Sequence, residues 1–321
     1  MSIFIILAAA IIPIVVLKLY FVLSHTDCKS KVCLVGKTAL VTGGNAGIGY
    51  QIVLGLAQRG CRVIIADKTR DQNLLDNIFK ETRSGNVVFK YVDLASFKSV
   101  RELARDIARD EERLDILINN AGIANVFQVT EDGCDEILQV NYLSAFLLTH
   151  LVLDLMKKTG GRIIFTGSIL SHIHDCSVEN LRKLYKFKDY NFHYRNSKFC
   201  CIAAAGVFAE KLEKYGITSN SYHPGLVYTN IFRTVDSGSI ILRLGTKYFK
   251  WLCFLVGKKA EEGAQTAIHL ACANDVQYIT GEFFYETKVT FRPRLSRDKK
   301  LVQAIWEATE QMVRLEQDEK L

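Results

Sequence analysis

Of the thirteen tyrosines in the chain, Tyr194 alone has a lysine four positions on, in Tyr194-Arg195-Asn196-Ser197-Lys198. On a helix, residues at i and i+4 share a face. A phenol with a pKa near ~10 is a poor acid or base at neutral pH. A cation one turn away favours phenolate and brings the group into a useful range. Tyr194 is therefore a candidate to take a proton from an alcohol or return one to a carbonyl oxygen. Ser168 follows a short apolar run and the small residues Thr166-Gly167, and its hydroxyl is placed to hydrogen-bond that oxygen. Taken singly these residues are bland: a serine at a strand end is usually a turn residue, and one Tyr/Lys pair among so many tyrosines is expected by chance. Their order along the chain gives them weight.

Upstream lies Thr42-Gly43-Gly44-Asn45-Ala46-Gly47-Ile48-Gly49, after an apolar run and before a helical pattern. Glycines there permit a tight turn and close backbone approach, with the first N–H groups of the helix facing a pyrophosphate. Asp67 comes 18 residues after Gly49, where a carboxylate can accept from the diol of an adenosine ribose. Turn and carboxylate together point to a dinucleotide. Asp67 repels a 2′-phosphate and favours NAD, whereas Lys68 could pair with that phosphate; NAD is preferred, with NADP the alternative.

The elements that must position these groups read as alternating strand and helix. Apolar runs at 38–42, 62–66, 87–92, 114–118 and 162–165 predict buried strands. Residues 48–59 have helical spacing and stop at Gly60, and 301–315 predict a final helix packed on the domain. The expected fold is α/β: one doubly wound Rossmann domain, 37–316, with a parallel sheet covered on both faces. Its charged end, 317–321, is expected to fray.

With 321 residues, 49% apolar, disorder is excluded, and three prolines exclude collagen-like or Pro-rich classes. The net charge of +7 comes without a block of Lys/Arg and interleaved aromatics, so no nucleic-acid partner is expected. Nine cysteines without a C-x-x-C pair fit a reducing compartment rather than a disulfide framework or zinc site. His172-x-His174 reads as loop rather than metal ligands.

Residues Ile3 to Leu23 are apolar except for Pro13 and Lys18, and as a helix would span about 31 Å. The expectation is a transmembrane signal anchor over 1–25 and a juxtamembrane linker over 26–36. A hairpin or monotopic anchor and a cleaved signal are the alternatives. Lys29, Lys31 and Lys37 put the bulk of the chain on the cytosolic side. Arg243, Lys247 and Lys250 form a basic stripe on the apolar stretch 240–256. This reads as a membrane-surface or lid segment over 237–257, or as a core-facing helix with a solvated stripe.

From about Lys37 to Glu286 the chain resembles the short-chain dehydrogenase/reductase family. The glycine turn resembles that family's cofactor turn, with Gly43, Asn45, Gly47, Ile48 and Gly49 in it. Asp93 matches the residue near the adenine, and Asn119-Asn120-Ala121-Gly122 the signature after the fourth strand, where Asn119 and Ala121 would line the cofactor. Asn141, Ser168, Tyr194 and Lys198 match the catalytic residues, Asn141 holding a water beside the lysine. His223-Pro224-Gly225, with Val227 and Thr229, resembles the loop over the nicotinamide.

The apolar leader, the 26-position interval from Ser168 to Tyr194, and Gly263-Ala264-Gln265-Thr266 are most similar to membrane-anchored retinol-dehydrogenase-type members. The resemblance implies hydride exchange between a nicotinamide cofactor and a lipophilic alcohol or carbonyl: retinoid-, isoprenoid- or steroid-like. It further implies a homodimer and a single-pass protein of the endoplasmic reticulum or, alternatively, the lipid droplet. Two departures stand out. Relatives carry a neutral residue and Arg where this chain has Asp67-Lys68, and Ser or Val is commoner than Thr166-Gly167 before the serine. A catalytically silent dinucleotide-binding scaffold and a soluble-substrate carbonyl reductase are the alternative readings.

Overall fold

A computed structural model describes residues 3–124, 128–183, 190–227, 247, 251 and 253–321. Eight strands form one sheet: β1 Thr38–Thr42, β2 Arg62–Asp67, β3 Val87–Tyr91, β4 Ile116–Asn119, β5 Arg162–Thr166, β6 Thr218–His223, β7 Phe283–Tyr285 and β8 Lys288–Thr290. Their order is β3-β2-β1-β4-β5-β6-β7-β8. The chain reverses its direction of growth between β1 and β4, which opens a crevice at the carboxyl ends of those strands.

The strands are parallel through β7, as the alternating pattern predicts, but β8 runs antiparallel to β7. The two-residue turn Glu286-Thr287 explains the exception. Both residues take left-handed backbone angles, φ +50° and +62°, and such a turn returns the chain as a hairpin.

Principal helices are α1 Ile3–Ser24, α2 Gly47–Ala57, α3 Leu74–Thr82, α4 Phe97–Asp110, α5 Ser144–Leu151, α6 Tyr190–Leu212, α7 Ala260–Cys272 and α8 Lys299–Met312. Side-chain alternation along β1 shows how they build two core layers. Leu40 packs with Val100, Leu103 and Phe146 on one face, whereas Ala39 and Val41 pack with Ile52, Val53 and Ile268 on the other. The amphipathic α4 buries Val100, Leu103 and Ile107 and is capped by the Ser96 hydroxyl, which accepts from Ser99 N at 3.3 Å. Asp298 caps α8 in the same way, accepting from the amides of Lys300 and Leu301.

One expectation needs correction. Residues 317–321 do not fray: Arg101 pairs with Glu319, and Lys211 Nζ donates to the Leu321 carbonyl at 3.1 Å. The anchor sequence does form helix α1, yet among the described residues no helix is long and apolar enough to cross a membrane. Most of the lid segment 237–257 and Thr229 lie outside the described residues.

Candidate active site

The sheet's carboxyl edge carries a cleft of about 500 Å³. Its floor at one end is the turn after β1. Gly43 and Gly47 take φ +68° and +58°, which L side chains rarely adopt. At Gly49 a Cβ would lie 2.0 Å from the Gly43 carbonyl oxygen, and at Gly43 it would lie 2.9 Å from Ala121 Cα. Backbone therefore surfaces in the cleft because no side chain fits. Ala46 precedes α2 and supplies no side-chain cap, so no protein hydroxyl or carboxylate from that position occupies the helix start. A bare helix N-terminus in a glycine cradle suits a pyrophosphate.

Asn120 fastens this turn to the end of β4. Its Nδ2 donates to the Thr42 carbonyl at 3.0 Å, and its amide donates to Thr42 Oγ1, also at 3.0 Å. The expectation named its neighbour instead. Asn119 is buried, donates Nδ2 to Thr149 Oγ1 at 3.0 Å, and does not line the cleft. Ala121 does line it, as do Ile48, Pro224 and Gly225.

Asp67, at the end of β2, lines the cleft and accepts from Asn45 N and Thr69 N, each at 3.2 Å. Asn45 does not line the cleft; its amide side chain donates to Thr69 Oγ1 and braces the loop after Asp67. Lys68 and Asp93 line the cleft beside Asp67 and pair with each other: the lysine Nζ lies 2.7 Å from Asp93 Oδ2, and that hydrogen bond raises the lysine's pKa. Asp93 itself is held by the amide of Ala95 on Oδ1. Val227 packs instead near Gly263, outside the cleft lining.

The far end of the cleft holds Ser168, Tyr194 and Lys198 together. Ser168 follows β5, and its Oγ accepts from Leu170 N at 3.2 Å, capping the turn at 169–172. Its side chain lines the cleft together with the Tyr194 phenol. Tyr194 and Lys198 stand one turn apart on α6, with Nζ 5.8 Å from the phenol ring centroid. Lys198 Nζ donates to the Thr166 carbonyl at 2.9 Å. Burial pushes the Tyr194 phenol up to about 12, with the Ser168 side chain acting against it. The expected lowering by Lys198 is thus not what dominates in this geometry, and burial also lowers Lys198 itself.

Asn141 stands behind this group. A wide π-turn at Gln139–Leu143 precedes α5, a form frequent at functional sites. The turn aims the Asn141 amide inward. Its Oδ1 accepts from Ile123 N at 2.7 Å, and Nδ2 donates to the Ile123 carbonyl and Ser197 Oγ, both at 3.0 Å. A Cβ on Gly122 would touch both Lys198 Nζ (3.2 Å) and Asn141 Oδ1 (3.4 Å). The bare glycine thus leaves a gap between amide and ammonium. Glu136 and Val140 also line the cleft, unforeseen from sequence. Their signal was proximity: both precede Asn141 within about one or two turns.

Chemically, the cleft offers a glycine-lined helix start, a carboxylate at the end of β2, and a hydroxyl and a phenol near a buried ammonium. Such a set can hold a dinucleotide and pass a proton to or from an oxygen.

Comparison with known proteins agrees. The short chain dehydrogenase family model matches residues 37–239. Retinol dehydrogenase 14 of Mus musculus is 34% identical over 292 residues, covering 87% of this chain and 86% of its own. Retinol dehydrogenase 12 of Homo sapiens is 31% identical over 283 residues, 87% of each chain. Among solved structures, the Pseudomonas aeruginosa RhlG/NADP active-site complex superposes with a TM-score of 0.58 at 26% identity, covering 78% of this chain and 95% of that one. The chain therefore belongs to the short-chain dehydrogenase/reductase family of nicotinamide-dependent oxidoreductases and is retinol-dehydrogenase-like.

Proposed function

We propose that this protein is an NAD-linked dehydrogenase/reductase of lipophilic alcohols and carbonyls that works at a membrane surface. The observation that carries the reading is the gathering of Ser168, Tyr194 and Lys198 on one cleft with Asp67, the Lys198 Nζ 5.8 Å from the Tyr194 ring centroid. When bound, the nicotinamide supplies hydride exchange with the substrate's carbinol carbon. The residues then divide the remaining work. Tyr194, as phenolate, removes the alcohol proton. Ser168 donates a hydrogen bond to the oxygen as charge develops there. Lys198 stabilises the phenolate. Asn141, facing the gap at Gly122, holds a water that passes the proton outward. Reduction runs these steps in reverse.

For the cofactor, electrostatics decide. A 2′-phosphate on the adenosine ribose would face the Asp67 carboxylate, while the Lys68 ammonium is already engaged by Asp93. The next cation, Arg70, lies over the Phe89 ring at 5.7 Å. The substrate class rests on the surface beside Ser168. Ile169 and Ile173, in the turn just after the cleft residue Ser168, are 53% and 62% exposed, apolar surface that suits a lipophilic substrate better than an aqueous sugar. A retinoid is the first candidate, given the retinol dehydrogenases among the relatives.

The test is a panel of NAD, NADH, NADP and NADPH against retinoid, isoprenoid, steroid and polyol substrates. NAD-linked turnover of a lipophilic alcohol is expected. Asp67→Ser should then lower the preference for NAD over NADP by about tenfold or more, since two charges 4 Å apart interact by about 1–4 kcal/mol between water and protein-surface dielectrics. Polyol turnover alone, or no turnover with any pair, would overturn the reading.

Membrane residence rests on the composition of α1, whose sequence IFIILAAAIIPIVVLKLYFVLS holds one charge. Exposed Val15, Val16, Leu19, Val22 and Leu23 continue its apolar surface. The full chain should stay in the pellet when membranes are washed with alkaline carbonate, with its C-terminus open to added protease. Release into the wash would refute the anchor.

A further inference from the structure

The His223–Gly225 stretch closes one end of the cleft, and a buried ion pair lies directly behind it. Lys258 N donates to the Leu226 carbonyl at 2.8 Å, and Lys258 pairs with Val227 in a short parallel bridge. Its methylenes lie against Gly225, where a Cβ would stand 3.0 Å from Lys258 Cδ. Gly225 has φ +90°, so this close approach depends on glycine. The ammonium of Lys258 is buried and ends on the Glu286 carboxylate. A buried charge persists only when it is paired.

Glu286 is itself unusual. It sits in the left-handed region at φ +50°, on the β7–β8 turn. A glycine would suit that backbone better, and strain of this kind is kept where the surroundings fix the side chain. The carboxylate has two partners. One oxygen takes Lys258; the other accepts from the Thr26 amide at 3.0 Å, with His25 Nδ1 3.6 Å away. Thr26 is two residues beyond the end of α1. A second link runs beside the first: Tyr285 stacks on His223 with ring centroids 5.4 Å apart, and Lys258 Nζ lies 5.7 Å from the Tyr285 ring centroid. The proton-transfer scheme uses none of these groups.

We propose that Lys258 is a positioning residue for the His223–Gly225 loop, clamped by Glu286, and that the segment leaving α1 bears on the same carboxylate through the Thr26 amide and so sets where the loop sits over the nicotinamide. The proposal rests on the reading of the cleft as a dinucleotide site. It makes the setting of the N-terminal helix an input to cofactor binding, through three contacts in series.

The full chain in detergent or liposomes tests this by titration with NAD and, separately, with ADP-ribose, which lacks the nicotinamide. Lys258→Met should weaken NAD by about tenfold or more, while ADP-ribose affinity stays unchanged. Thr26→Pro, which deletes the donor N–H, should weaken NAD in the same sense but less. Thr26→Ala, which keeps the donor, should not. In the Lys258→Met background, Thr26→Pro should add nothing, because the two act through one strut. Should Lys258→Met fail to fold, Glu286→Asp, which shortens the clamp, is read by the same pair of titrations.

Equal weakening of NAD and ADP-ribose would mean a merely structural role and would overturn the proposal. So would unchanged NAD affinity, or additive effects of the two substitutions. Wild-type protein that binds neither ligand would instead overturn the dinucleotide reading, and the strut with it.

Discussion

Tyr194→Phe is expected to reduce turnover by about 10²–10⁴-fold, the usual worth of a positioned proton-transfer group, while NAD affinity is retained. The substitution deletes one oxygen and leaves the ring in place beside Lys198. Ser168 keeps its bond from Leu170 N, so the surrounding turn has no reason to move. Measuring kcat together with NAD binding by fluorescence separates the two effects. Turnover within a few-fold of wild type would remove Tyr194 from the mechanism. The pH dependence adds an independent reading. With the phenol at about 12, the phenolate fraction rises through the whole alkaline range. Alcohol oxidation should therefore accelerate with pH up to a plateau, which a cationic ring beside the phenol brings to lower pH. The Tyr194→Phe enzyme should show no such rise.

Lys198→Met is the second large effect, and its sign differs between activity and stability. A cation near a phenol lowers its pKa by about 1–3 units. Loss of the ammonium should therefore lower alcohol oxidation near neutral pH by about 10–10³-fold and move the rise of the pH profile upward. Stability should not suffer in proportion. Burial lowers the Lys198 pKa, so the folded protein carries that charge at a cost, and methionine fills a similar volume without it. The offset is the Thr166 carbonyl, which loses its donor. A melting temperature equal to or above wild type, with activity reduced, is the expected pattern. Unchanged oxidation at neutral pH would show that the ammonium does not tune the phenol.

The parts of this architecture legible in the sequence were those whose physics is local. Buried parallel strands are written as apolar runs, and the runs at β1, β2, β3 and β5 fall within a residue or so of the observed elements. The glycine turn and the Tyr/Lys spacing are local too. β6 was not legible, because Thr218-Ser219-Asn220-Ser221-Tyr222-His223 is polar yet mostly buried. Its side chains do the work of a backbone: Asn220 Nδ2 donates to the Ile279 carbonyl at 2.6 Å, and its Oδ1 accepts from Glu282 N at 3.0 Å. That solution depends on a segment about sixty residues away, which no local pattern records.

At the site, residue type was legible and side-chain direction was not. Asn119 and Asn120 are chemically identical neighbours, and only the pleat at the end of β4 decides which one reaches the glycine turn. Lys68 could have met a phosphate; its partner in space is Asp93. The strut behind Gly225 joins positions 26, 258 and 286, whose meeting no spacing rule foretells.

The wide turn at Gln139–Leu143 bears on how this part of the chain tolerates changes in length. A π-turn is an ordinary helix carrying one surplus residue. Each residue advances a helix by about 100°. Excising a single residue there would restore regular winding and, in doing so, swing the Asn141 amide off both Ile123 and Ser197. Loops elsewhere can gain or lose residues and keep their anchors. Here the register is stored as a number of residues rather than as their identities, and an in-frame deletion of one apolar residue would be as damaging as replacing the asparagine.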